Sequence, residues 1–188
     1  MKILSVQTDI NKYQLILPLS DSDEVYDMLD FNGNSKLNIW KPLTFFIDNP
    51  LNRKADFFSF IGSSAFACNK LATDKLMRFW SLSAELLPIN LEDGTELFIV
   101  NVIDCVNALD QENVEYDYYD DGSRSNRILK YSFHKNRFHE SSIFKIPETA
   151  KTQILTYVGV KTSEDEFYTA YNQSGLEGLV FKELYSTD

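Results

Sequence analysis

Short apolar runs alternate with turn-forming residues along most of this chain. Three runs in its first third predict strands: YQLILPLS (13–20), PLTFFI (42–47) and ADFFSF (55–60). Between the first two runs, the spaced apolar positions of DSDEVYDMLDF predict a helix with Ser20 or Asp21 as its N-cap. The pattern therefore mixes strands with short helices from the start.

The segment AELLPINLEDGTELFIVNVI (84–103) predicts a β-hairpin. Asp93-Gly94 supplies the positive φ angles of a type I′ turn, and β-rich runs flank it on both sides. In the second strand, alternate side chains face opposite sides of the sheet: Leu97, Ile99 and Asn101 on one, Phe98, Val100 and Val102 on the other. Because both faces are largely apolar, we expect a central strand that is covered on both sides.

The second half of the chain repeats this alternation. RILKYSF (127–133) and SSIFKI (141–146) predict a second strand pair. The same region carries six bases, so we expect a basic ribbon to follow the acidic segment: Arg124, Arg127, Lys130, Lys135, Arg137 and Lys145.

Two short helices each lead into a strand, and Thr73 and Thr162 are their predicted N-caps. The second helix presents one buried face, made of Phe167, Ala170 and Tyr171, and ends at Gly175. These elements predict an α+β fold, with a mainly antiparallel sheet and a few short helices packed on it. The length of 188 residues fits a single domain spanning 1–188.

Composition narrows the class of protein. The chain is 44% hydrophobic, which indicates a packed core, and its two cysteines, Cys68 and Cys105, lack C-x-x-C spacing. That spacing favours a reduced cytoplasmic protein, although one bridge between the two cysteines stays open. The first apolar run stops at Gln7, too early for a secretory signal, and no run approaches a membrane span of about 20 residues.

The net charge of −10 is concentrated in one segment. No Lys or Arg occurs between Arg78 and Arg124, an interval that holds 11 acids, whereas the rest of the chain has 17 acids and 18 bases. Phosphate backbones require the opposite sign, so the charge disfavours nucleic-acid binding and favours a basic protein partner. Acids that only keep the protein soluble are the alternative.

The most acidic stretch, ALDQENVEYDYYDDGSRSN (108–126), is the candidate partner-binding surface. Its candidate residues combine carboxylates with aromatic rings: Glu112, Glu115, Tyr116, Asp117, Tyr118, Tyr119, Asp120 and Asp121. Carboxylates accept charge-assisted bonds from Arg or Lys, and tyrosines are frequent interface anchors. A solvated hairpin loop with Asp121-Gly122 at its tip is the other interpretation.

Motifs for catalysis, metals and cofactors are missing from the sequence. His134 and His139 lack the spacing of a helical metal motif, and apolar neighbours indicate that Cys68 is a buried thiol. Gly62-Ser63-Ser64 lacks the second Gly and the Lys of a phosphate loop. Trp80 is expected in the core, whereas Trp40 is either core or interface. No cofactor or metal is therefore expected.

An ordered set of motifs carries a family resemblance. PLTFF, ADFF, LATDKLMRF, AELLPI, LFIVNVIDCVNALD, SSIFKI and SGLEGLVFKEL follow one another from about Trp40 to Leu184. This set resembles a family of immunity proteins from bacterial polymorphic toxin systems. Residues 1–39 and the acidic, Tyr-rich insert lie outside the resemblance.

The resemblance implies a small cytoplasmic α+β protein that binds and silences a cognate toxin, with no catalytic residues of its own. A toxin with a basic surface would fit the acidic segment. Two alternatives stay open: a small hydrolase that uses acidic residues and His134, or a structural or regulatory domain that associates weakly with itself through sheet edges.

Overall fold

The first strand of the chain lies inside a sheet. The computed structural model describes residues 1–60 and 64–187, and within them it confirms the predicted α+β fold. The described strands are β1 (Lys2–Thr8), β2 (Ile16–Pro18), β3 (Thr44–Ile47), β4 (Phe57–Phe58), β5 (Phe66–Cys68), β6 (Ala84–Leu91), β7 (Glu96–Val102), β8 (Glu115–Tyr118), β9 (Arg124–Lys130), β10 (Ile143–Phe144), β11 (Leu155–Val158) and β12 (Leu179–Ser186). The described α-helices are α1 (Asp23–Met28), α2 (Lys70–Lys75), α3 (Met77–Ser83) and α4 (Phe167–Ser174).

A four-stranded antiparallel sheet joins the two ends of the sequence. Its order is β10-β11-β1-β12, and Lys2 of β1 lies opposite both Val158 of β11 and Ser186 of β12. The N-terminal region, which contributes nothing to the family resemblance, thus supplies an inner strand of this sheet.

A six-stranded sheet has the order β2-β3-β6-β7-β5-β4, and all its pairs are antiparallel except β3 with β6. The predicted β6–β7 hairpin is confirmed. Strand β7 lies between β6 and β5 and is buried along most of its length, as the apolar pattern on both of its faces predicted.

The loop of that hairpin differs from the predicted type I′ turn. Gly94 has a φ of 84°, but Asp93 does not adopt a positive φ. The Gly94 amide donates to the carbonyl oxygen of Leu91 at 2.9 Å, and the Leu91 amide donates to that of Thr95 at 2.8 Å. These bonds define a three-residue loop that ends in a left-handed glycine. The Asp-Gly dipeptide fits such a loop as well as it fits a two-residue turn.

The predicted pairing of residues 127–133 with residues 141–146 is wrong. Strand β9 pairs with β8, so the acidic stretch itself supplies its partner, and β10 pairs with β11 instead. The two-stranded β8–β9 sheet is the third sheet of the fold.

The helices lie near their predicted positions but begin at other residues. Ser22, rather than Ser20 or Asp21, caps α1 by accepting from the Val25 amide. Asn69 rather than Thr73 caps α2. Among the described residues, no helix has the length and the apolar character that a membrane crossing requires.

Helix α4 begins at Phe167, later than predicted. Thr162 precedes a short 3₁₀ helix (Ser163–Asp165) and donates to the Asp165 carboxylate at 2.7 Å. Gly175 ends α4 with a φ of 72°, as predicted. The predicted buried face of the helix packs into the core.

Three apolar clusters form the core, and the α-helices contribute to the first two of them. Trp80 is 1% exposed in the first cluster, which confirms the predicted core position. Trp40 is partly buried, and its indole nitrogen donates to the Pro88 carbonyl oxygen at 3.0 Å. Cys68 is buried and Cys105 is partly exposed; both are free thiols, so no bridge joins them.

Candidate functional site

The acidic stretch forms a hairpin rather than an irregular loop. The Gly122 amide donates to the carbonyl oxygen of Tyr119 at 2.9 Å, and the Tyr119 amide donates to that of Ser123 at 2.9 Å. Gly122 has a φ of 80°. Asp121-Gly122 therefore lies at the loop tip, as predicted, between β8 and β9.

The loop at the β8–β9 tip repeats the architecture of the β6–β7 loop. Asp121 and Asp93 precede the left-handed glycine in each, and each Oδ1 accepts from the backbone nitrogen two residues later at 2.8 Å. These bonds hold the pKa of both carboxyls below the usual range; for Asp121 the main cause is the side-chain bond from Ser123. Both tips are thus fixed by the same internal bonds.

The hairpin packs against the four-stranded sheet through one apolar side. Ile128 of β9 is 8% exposed and belongs to a cluster with Ile3 of β1 and Tyr157 of β11. Val114 and Tyr116 pack against the same cluster. Because this apolar packing stabilises the hairpin, its opposite side can be polar and exposed to solvent.

Asp110 organises the base of the hairpin. Its carboxylate accepts from Asn113 Nδ2 at 2.8 Å, from the Glu112 amide at 3.1 Å and from Ser132 Oγ at 3.3 Å. These bonds, with that from Asn113 the largest cause, lower the pKa of Asp110. His134 Nε2 lies 3.6 Å from Asp110 Oδ1.

Two of the predicted acids pair within the hairpin. Lys130 Nζ lies 3.0 Å from Glu115 Oε1, and Arg127 Nη1 lies 3.5 Å from Asp117 Oδ2. Both pairs are exposed, so each contributes less than about 1 kcal/mol to stability. Their main effect is to offset the negative charge along β8.

Tyr116 is also held inside the hairpin. The Arg124 guanidinium lies 4.3 Å from the centre of its ring, and its hydroxyl donates to Gln111 Oε1 at 2.7 Å. Burial raises the pKa of Tyr116. This tyrosine therefore supports the hairpin rather than projecting from it.

The remaining candidates lie at the tip and the base. Tyr118 is 60% exposed and Tyr119 is 62% exposed, and Asp120 and Asp121 sit beside them in the loop. Within residues 1–60 and 64–187, the carboxylates of Asp120 and Glu112 form no ion pair. The exposed rings and the unpaired charge thus meet at the loop, whereas the strands are internally balanced.

Other candidate chemistry does not converge. In the part of the chain that the structure describes, no group of three or more His, Cys, Asp or Glu side chains is arranged to hold a metal ion. Cys68 is buried as predicted, and burial raises the pKa of its thiol to about 12, which keeps it protonated. Gly62 and Ser63 lie outside the described residues.

One residue of the predicted basic ribbon is buried. Lys145 is 0% exposed, and the described residues also include two buried carboxylates, Glu85 at 6% and Glu166 at 2%. Lys145 Nζ donates to the Phe31 carbonyl oxygen at 2.8 Å, and burial lowers its pKa to about 8. The sequence did contain one indication of this burial: Lys145 lies within the apolar run IFKI, where a lysine exposed to solvent is not expected.

Comparison with models of known protein families gives no match to this chain, and comparison with curated protein sequences gives none either. The resemblance to immunity proteins thus stays a prediction that rests on the order and spacing of short motifs.

Proposed function

We propose that this protein neutralises a cognate bacterial toxin in the cytoplasm by binding it through the β8–β9 tip. The observation that carries the proposal is the exposure of Tyr118 and Tyr119, at 60% and 62%, beside Asp120, whose carboxylate forms no ion pair with any described residue. Tyrosine offers a large rigid contact area at low entropic cost. Carboxylates accept charge-assisted bonds from Arg or Lys, so a basic toxin surface is the complementary partner.

Neutralisation in this scheme needs no catalytic group. The tip is anchored through Ile128 and stiffened by its internal bonds, so it binds with little loss of conformational freedom. A tip of this kind would block a toxin by covering its active cleft or a neighbouring surface. The negative charge would mainly raise the rate of association and select the partner.

The direct test uses a toxin domain encoded beside this gene. A catalytically inactive form of that domain serves as the probe for binding kinetics, and the active form serves for growth protection. We expect Tyr118→Ala with Tyr119→Ala to raise the dissociation rate by about tenfold or more. Asp120→Asn should slow association and flatten its dependence on salt.

The β6–β7 loop offers a matched control. Glu92 holds the position in that loop that Asp120 holds in the other, but the loop carries no tyrosine. Glu92→Gln removes one charge from the same loop architecture and should leave binding unchanged. If the tip variants bind and protect as well as the unaltered protein, the tip is not the contact surface.

A hydrolase that uses His134 is the second candidate function, and the Asp110–His134 contact of 3.6 Å is the observation that favours it. Asp110 already accepts three hydrogen bonds that build the hairpin base, which is a structural role. Turnover of model ester or phosphoester substrates that is lost in His134→Ala, with toxin binding absent, would favour this function instead.

A further inference from the structure

A groove of about 560 Å³ lies between the β8–β9 hairpin and the four-stranded sheet. Its lining comes from β1, β9 and β12, together with Tyr131, Thr149 and residues 152–154 of the chain that leads into β11. We call this the β9 groove. It has the volume of a small-molecule site, and none of the tip residues 118–121 lines it. The β9 groove is therefore separate from the proposed toxin contact.

Strand alternation places the side chain of Lys182 in this groove. In β1, Ile3, Ser5 and Gln7 point to one face of the sheet. Ile3 packs in the same apolar cluster as Ile128 of β9, so this is the face that the hairpin covers. Lys182 pairs with Ser5 in the β1–β12 ladder, and paired residues share a face. The Lys182 side chain therefore projects on the hairpin side of the sheet, where the groove lies.

The acid among the lining residues, Glu183, does not offset the charge of Lys182. Glu183 pairs with Leu4 in the same ladder, so its side chain points to the opposite face of the sheet. On that face its carboxylate lies 2.7 Å from Lys2 Nζ. Glu183 therefore reaches the β9 groove through its backbone, and its carboxylate does not repel an anion there.

Two cations line the β9 groove. Lys182 forms no ion pair within residues 1–60 and 64–187. Arg127 also lines the groove, with its Nη1 3.5 Å from Asp117 Oδ2 in an exposed and therefore weak pair. An anionic group of a ligand can thus accept charge-assisted bonds from Lys182 and compete with Asp117 for Arg127.

Three carboxamide side chains add neutral polar surface to the groove. Gln7 and Asn126 line it and are exposed, so their amide groups are accessible to a ligand. Gln153 Oε1 accepts from the Tyr131 hydroxyl at 2.8 Å, which leaves the amide hydrogens of Gln153 able to donate. Because a carboxamide both donates and accepts, it suits the hydroxyl groups of a ligand.

Both edge strands of the groove carry a bulge. In β9, Ile128 and Lys130 pair with adjacent residues of β8, so Leu129 is an extra residue. In β12, Leu184 is the extra residue in the same way. Both leucines line the groove. Bulges hinder the addition of a further strand and recur beside active sites, so a small molecule suits this groove better than an extended peptide.

We propose that the β9 groove binds a small hydroxylated anion, such as a sugar phosphate or a sugar acid. Its anionic group lies against Lys182 and Arg127, and its hydroxyls bond to the three carboxamides. The net charge of −10 disfavours a long polyanion such as a nucleic acid in the same groove. The proposal does not rest on toxin binding, so either of the two can fail alone.

The test titrates the full chain with ribose 5-phosphate and with gluconate, which carry the two kinds of anionic group, and follows amide chemical shifts. Ribose keeps only the hydroxyls, whereas inorganic phosphate and acetate keep only the charge. We expect at least one of the two probes to shift the resonances of Gln7, Lys182 and residues 126–129. That probe should bind at least about tenfold more tightly than ribose, phosphate or acetate.

Variants locate the binding. Lys182→Gln should weaken the bound probe by about tenfold or more, whereas Lys135→Gln, the same change at an exposed lysine outside the groove, should leave its affinity unchanged. Gln7→Glu, a change at an exposed side chain that the fold tolerates, should abolish binding because it adds a carboxylate to the groove.

Three results would overturn the proposal: no shift at the groove with either probe, ribose or a simple anion that binds as tightly as the probe, or equal weakening by Lys135→Gln. So would binding that survives in both Lys182→Gln and Gln7→Glu, because the anion would then lie elsewhere on the protein.

Discussion

Lys130 and Glu115 face each other across the β8–β9 hairpin, with Nζ 3.0 Å from Oε1. Arg127 repeats the arrangement with Asp117 at 3.5 Å. The candidate surface thus carries its own counter-charges on the neighbouring strand. The net negative charge that this surface presents to a partner therefore depends on how strongly these bases offset the acids.

Removing the two bases of β9 that pair with acids of β8 should strengthen the proposed toxin contact. In Lys130→Gln with Arg127→Gln, two carboxylates lose their partners, so association with a basic toxin should become faster at low salt. Stability should fall by less than about 1 kcal/mol, because both pairs are exposed. Lys70→Gln is the control, since it frees Asp74 from an equally exposed pair at 2.9 Å on α2. Unchanged or slower association would contradict the role of charge at this surface.

Lys145 should make stability depend on pH in a defined window. Its folded pKa, lowered to about 8 from 10.5, means that the unfolded chain binds more protons between these values. Its contribution to unfolding free energy should therefore rise with pH from about 8 to 10.5 and be lost as pH falls through 8. The full difference is about 3 kcal/mol.

The measurement compares urea unfolding of the unaltered protein and Lys145→Met across this window. Groups with raised pKa values, such as Cys68, occur in both proteins and cancel in the difference. A difference between the two proteins that stays constant from pH 8 to 10.5 would show that Lys145 is not desolvated.

Glu85→Leu should loosen the backbone at Ser35 and Lys36. The apolar side chain removes the oxygen that accepts from the Lys36 amide and from Asn101 Nδ2. The loss of this acceptor should destabilise the protein by about 1–3 kcal/mol. Hydrogen exchange should accelerate at residues 34–37. Glu96→Leu, the same change at an exposed position of β7, should alter stability by no more than about 0.5 kcal/mol.

Two glycines should differ in their tolerance of alanine. At Gly122 an added Cβ meets nothing within 4 Å, so Gly122→Ala should cost about 1 kcal/mol from its positive φ alone. At Gly178 the Cβ would lie 2.5 Å from the Phe57 carbonyl oxygen. Gly178→Ala should therefore destabilise the protein by about 3 kcal/mol in thermal or urea unfolding, because backbone must move. Equal effects would contradict the packing at Phe57.

The sequence predicted best where local pattern decides structure. The β6–β7 hairpin combines β-branched and aliphatic residues with Asp93-Gly94, so its position is local information. The length of its loop is not, since a left-handed glycine closes two-residue and three-residue loops alike. The partner of β9 was missed because the Glu-, Asp- and Tyr-rich β8 lacks the apolar alternation of an ordinary strand.

The candidate residues of the predicted surface differ in exposure, and their three-dimensional contacts explain why. Tyr116 and Tyr118 lie two residues apart, yet the first contacts Arg124 and the second is 60% exposed. Lys145 and Lys130 both belong to the predicted basic ribbon, but Lys145 is buried and Lys130 is exposed. Long-range packing sets these differences, and a single sequence carries little trace of it.

The pairing of β1 with β12 brings distant parts of the chain side by side. The Thr187 amide donates to the Met1 carbonyl oxygen at 2.9 Å, so a short flexible linker would join these positions with little strain. A circularly permuted protein reopened between Asp121 and Gly122 would leave the connections of the four-stranded and six-stranded sheets uncut but split the tip. Such a molecule would show whether folding and partner binding depend on different parts of the chain.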